Sequence, residues 1–154
     1  MSESFAFFSH RDNPAVVAVS TPEYRTSISA ALHELGYKVL CVEDHDEFMA
    51  RYNAIPFQVV IMEEIFGGVL PGQNPTVQWV QELPMQQRRQ AVFVLMGDMF
   101  GTLNSMQAFQ QSVHAVVNYS EAPIMSQIVQ KIVAENDGFY STFRENQKLA
   151  VKAR

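Results

Sequence analysis

Short runs of consecutive apolar residues alternate along this chain with longer segments in which apolar residues recur every three or four positions. Runs of the first kind mark strands covered on both faces, and segments of the second kind mark helices that lay one face on a sheet. The pattern predicts five strands, at 15–19, 37–42, 57–63, 91–96 and 114–118. Between them, Tyr24, Ile28, Ala31, Leu32 and Leu35 share one helix face, as do Phe48, Met49 and Tyr52, then Val77, Val80 and Leu83, and then Leu103, Met106 and Phe109. From about residue 120 to the end the chain reads as one long helix. Its stripe is Met125, Ile128, Val129, Ile132, Val133, Tyr140 and Phe143.

Residues at the junctions sharpen these boundaries. Ser20 or Thr21 offers an N-cap ahead of Pro22, Asp44 and Glu47 have capping-box spacing, and Asn74-Pro75 pairs a cap with a proline at the first helical position. Gly36 suits a left-handed helix terminus. Residues 85–90 are polar and fit either loop or helix. Strands alternating with helices call for a parallel sheet with helices on both faces. Residues 1–14 read as a lead-in, 15–135 as one α/β domain, and 136–154 as a C-terminal helical extension.

Bulk composition removes several classes of function. A chain of 154 residues is of single-domain length, and 47% hydrophobic with 18% charged residues is ordinary for a soluble protein. A net charge of −5 argues against nucleic acid as the main partner, because a phosphate backbone needs a basic face. The single cysteine, Cys41, rules out an internal disulfide, and its apolar setting reads as a small buried hydrophobe. No positive stretch precedes the short Phe5-Ala6-Phe7-Phe8 run, so no secretory signal is expected. No apolar run approaches the ~20 residues of a membrane span. A cytoplasmic protein without a membrane partner is the expectation.

Five strands and five helices in one small domain is the layout of flavodoxin-like folds. The local words are more specific. Val16-Val17-Ala18-Val19-Ser20-Thr21-Pro22-Glu23-Tyr24-Arg25 resembles the opening of response-regulator receiver domains. His33-Glu34-Leu35-Gly36-Tyr37-Lys38-Val39 is similar to their first-helix-to-second-strand junction, and Phe57-Gln58-Val59-Val60-Ile61-Met62-Glu63 to their phosphoacceptor strand. The resemblance implies a receiver fold with an extended C-terminal helix. It also implies a site that departs from the family. Active receivers accept phosphate on an aspartate after the third strand, hold Mg²⁺ with two acids after the first, and use a Thr or Ser after the fourth and a Lys after the fifth. Those positions map here onto Glu63, Val19 and Ser20, Met96, and Tyr119. Val and Ser cannot supply paired carboxylates to a hard cation, and nothing replaces the lysine that steadies the transferred group. The expectation is a degenerate receiver with no metal, no cofactor and no enzymatic activity, which signals through protein contacts.

Glu63 has three readings: a mimic of phosphorylated aspartate, an acceptor in a vestigial pocket, or a partly exposed strand-end acid beside Glu64, the plainest of the three. Glu43, Asp44 and Asp46, joined by Glu63 and Glu64, would make an oxygen-rich cation site, but a solvated helix N-terminus explains the first three more simply. The four histidines lack metal-site spacing, and no nucleophile–base set supports catalysis. Leu103, Met106 and Phe109 read as core. Met99 and Phe100, in a Gly-flanked loop, read equally as core or as interaction surface. Tyr140 and Phe143 extend the last helix's stripe past the sheet, which predicts a homodimer through that helix. The alternative function is a small-ligand or nucleotide sensor using the cleft at the strand ends, floored by Met96 and Tyr119.

Overall fold

The computed structural model of the protein describes residues 13–88 and 90–152, with residues 139–152 as backbone alone. The chain runs β1 (Pro14–Ala18), α1 (Pro22–Glu34), β2 (Lys38–Cys41), α2 (His45–Ala54), β3 (Val59–Glu63) and α3 (Pro75–Gln81). A single helical turn follows (Met85–Arg88), then β4 (Val92–Gly97), α4 (Ser105–Gln111), β5 (Ala115–Asn118), a 3₁₀ turn (Tyr119–Ile124) and α5 (Met125–Lys152). The ambiguous polar segment after Pro84 is thus helical over Met85–Arg88. The last helix begins at Met125 rather than near residue 120, because Pro123 tightens its approach into the 3₁₀ turn.

All five strands are parallel, in the order β2-β1-β3-β4-β5. Alternation along each strand divides the apolar side chains between two cores. Val16, Val60, Met62, Phe93, Leu95 and Val116 face α2, α3 and α4 and pack on Phe48, Val77 and Val80. Val17, Val59, Ile61, Val94, Met96 and Val117 face α1 and α5 and pack on Ile28, Leu32, Met125, Ile128 and Val129. Fully burying one such aliphatic side chain contributes about 1.5–3 kcal/mol. Trp79 belongs to the first core, edge-on to Phe48 and Tyr52. Cys41 is only half-buried because β2 is an edge strand, and its sulfur lies 3.2 Å from the Ser29 hydroxyl.

The caps position the strand ends. Asn74 caps α3 through Oδ1, which accepts from the Thr76 and Val77 amides. Its Nδ2 donates to the carbonyls of Glu63 (2.9 Å) and Glu64 (3.1 Å). One buried side chain therefore starts a helix and anchors the end of β3. Asp44 caps α2 by accepting from the Glu47 amide. α1 is different: its N-cap residue Thr21 makes no side-chain cap of its own.

α4 reverses the sequence reading. Among its residues only Ala108 is buried, while Met106 and Phe109 are 64% and 81% exposed and Leu103 is partly exposed just ahead of it. The stripe predicted to be core lies outside.

Candidate strand-end site

β3 delivers its last residue to the C-terminal edge of the sheet, where ligands of open α/β sheets gather. Residues 59, 61 and 63 share one face, so Glu63 turns toward α1 with Val19, Met96 and Val117 as neighbours in parity. Its side chain is 0% exposed, which corrects the partly exposed acid expected from sequence. One carboxylate oxygen accepts from the backbone amides of Ser20 (2.8 Å) and Thr21 (3.3 Å). The other accepts from the hydroxyls of Thr21 (2.8 Å) and Tyr119 (2.8 Å). The N-terminus of α1 is thus capped from a distant strand: Glu63 meets amides that no local side chain serves. A negative charge there also complements the helix dipole.

The surroundings hold this arrangement. Tyr119 stacks on Tyr24 of α1 at 4.7 Å between ring centroids. Burial raises the Tyr119 hydroxyl pKa above its ordinary value, and the hydrogen bond to Glu63 and the charge of Glu63 raise it further, so it remains a donor. Ser20 Oγ accepts from the Gly67 amide at 2.7 Å, joining the β1–α1 loop to the loop after β3. Arg25 donates from Nε to the Val19 carbonyl at 2.9 Å and reaches Glu43 at 3.3 Å.

No family model matches the sequence, and no curated protein matches it. Solved structures do match. A response regulator from Thermotoga maritima superposes with a TM-score of 0.61 at 9% identity, covering 79% of this chain and 97% of that one. The Francisella response regulator 1452 receiver domain gives 0.62 at 11%, covering 80% and 98%. The chemotaxis response regulator CheY4 of Vibrio cholerae gives 0.59 at 16%, covering 77% and 97%. This is a receiver fold. At such identities the likeness speaks for architecture, and the site must be read from its own residues.

The residues set at the receiver positions do not fit a hard cation. Val19 is buried and apolar, and the Ser20 hydroxyl is bonded to Gly67. Both Glu63 oxygens face N–H and O–H donors, the wrong polarity for a ligand set that must offer oxygens to a metal. Glu43 pairs with Arg25 and Asp44 caps α2, so the acidic cluster after β2 serves local structure. Among the described residues no group of three His, Cys, Asp or Glu is placed to hold a metal ion, and no helix is long and apolar enough to cross a membrane.

Met96 is wholly buried in the core shared with α1 and α5, so it floors no open cleft. Phe100 is also buried, while Met99 beside it is 83% exposed, so of the two residues open to either reading one is core and the other surface. The side chains of Tyr140 and Phe143, like the whole of Phe5, Phe7 and Phe8, lie outside the described residues. Thr21 is the functional residue that sequence reading missed. It looked like an ordinary cap, and only the parity of Glu63 with the β1 exit pointed to any other partner.

Proposed function

We propose that this chain is a phosphorylation-independent signalling module of the receiver type, acting through protein contacts and without enzymatic activity. One observation carries the reading: the carboxylate of Glu63 is fully engaged by four donors of the protein itself. A side chain held there ties the ends of β1, β3 and β5 together. To accept a phosphoryl group, one of its oxygens would have to give up both of its bonds, and among the described residues no ammonium donates to the carboxylate to offset the charge that develops. Treating the intact chain with acetyl phosphate and Mg²⁺ should leave its mass unchanged. A gain of one phosphoryl group, lost in Glu63→Gln, would overturn the proposal.

Exposed Met99, Met106 and Phe109 supply an adaptable apolar surface of the kind that partner proteins cover. We further propose self-association through α5, which continues from its packed residues to Lys152. Light scattering should report a dimer that Phe143→Ala weakens; a monomer at high concentration in both forms counts against it. The alternative of a nucleotide held in the strand-end cleft finds less support. Met96 is buried there and the Tyr119 hydroxyl is committed to Glu63.

A further inference from the structure

Glu64 lies one residue along from the sealed acid and turns to the opposite face of the sheet. A cavity of about 220 Å³ opens there between α3 and α4. It has room for about seven waters at the ~30 Å³ each occupies in the liquid. That is below the ~300 Å³ at which pockets for drug-sized ligands begin. A small group fits; a nucleotide does not.

The lining is rich in acceptors. Glu64, Gln78, Gln81 and Gln110 border the space, with Val77 and the buried Leu95 as its apolar walls. Gln78 Nε2 already donates to the Gly72 carbonyl (3.3 Å) and Gln81 Nε2 to the Gln111 carbonyl (3.0 Å), which leaves their side-chain oxygens for a visitor. Among the described residues neither ion pair involves Glu64, and no hydrogen bond reaches its carboxylate. Burial, and then the charge of Asp98, raises the Glu64 pKa, a penalty that a bound cation relieves. The fold makes room for this acid. A Cβ on residue 97 would fall 2.5 Å from a Glu64 carboxyl oxygen and 2.9 Å from the Phe100 ring, so the carboxyl occupies space that only Gly97 leaves open.

The complement to these features is a cation carrying several N–H donors on a slim apolar stem. A guanidinium presents five donors in a planar fork that grips a carboxylate with two bonds, and it is more weakly hydrated than an ammonium. We propose that the cavity between α3 and α4 binds a guanidinium group, with Glu64 as its carboxylate partner and the side-chain oxygens of Gln78 and Gln81 accepting further N–H bonds. The group can belong to a free guanidino compound or to an arginine of another protein. The inference does not rest on the phosphotransfer reading, since Glu63 takes no part in it.

An NMR titration of the isotope-labelled full chain with agmatine tests this. Saturable shifts should centre on the side-chain amides of Gln78, Gln81 and Gln110. Glu64→Gln, which keeps the side chain's size, should weaken binding at least tenfold, as should Gly97→Ala by displacing the carboxyl. Urea, which lacks the charge, and methylammonium, which lacks the fork, should bind at least tenfold more weakly than agmatine. In a second arm, N-acetylarginine amide binding as well as agmatine assigns the site to chain-borne arginine, and binding at least tenfold more weakly assigns it to free compounds. No saturable shift with either probe overturns the proposal. So does undiminished agmatine binding in Glu64→Gln, or methylammonium binding as tightly as agmatine.

Discussion

Glu63 and Glu64 are adjacent in sequence and opposite in circumstance. The first is sealed, with four donors on two oxygens. The second is half-exposed, meets no donor among the described residues, and has its pKa raised by burial and by Asp98. The period-two alternation at the end of β3 produces the difference. It aims one acid at the amides that open α1 and the other at a cavity bordered by Gln78, Gln81 and Gln110. Identical chemistry becomes an internal tie on one side of a sheet and an unmet charge on the other. Function in this fold is set by which face a residue reaches.

The largest effect should come from removing the tie. Glu63→Leu leaves two amides and two hydroxyls without their acceptor, and a buried hydrogen bond contributes about 0.5–1.5 kcal/mol net of its exchange with water, more when one partner is charged. A loss of roughly 3 kcal/mol or more is expected in urea unfolding, and a midpoint equal to that of the parent would remove the basis of the comparison. Tyr119→Phe deletes one of the four bonds while keeping the stack on Tyr24, so about 1–2 kcal/mol should be lost by the same measurement. The smallest effect belongs to the other acid and has the opposite sign. A carboxyl whose pKa is raised on folding costs nothing below its unfolded pKa near ~4.3, and its penalty on the folded state grows as the pH rises past that value and is complete above the folded pKa. Glu64→Gln should therefore stabilise the protein slightly at pH 7, by a few tenths of a kcal/mol given its exposure, and not at all near pH 3. Equal midpoint shifts at both pH values would break the distinction.

Much of the architecture was legible because it rests on local patterns. The five apolar runs, the Asn74-Pro75 start of α3 and the Asp44 cap all follow from residues within a few positions of one another. The site was less legible because its partners are far apart in sequence. Ser20, Thr21 and Tyr119 stand 43, 42 and 56 positions from Glu63. Strand parity puts Glu63 and Tyr119 on one face, but the contact also needs the sheet order, which no local spacing encodes. The outer face of α4 failed for another reason. Leu103, Met106 and Phe109 have the same spacing whether they face the sheet or the solvent. Ala108 faces the sheet instead, and a stripe of small and polar residues gives weak warning of that.

The length of α5 turns the turn that precedes it into a fulcrum. Twenty-eight residues at ~1.5 Å each make a rod about 42 Å long, whose root is the segment carrying Tyr119. Swinging such a lever by roughly ten degrees about its packed third sweeps the free end through about 5 Å. A small tilt where Met125, Ile128 and Val129 seat the helix on the sheet is therefore magnified several-fold at its far end.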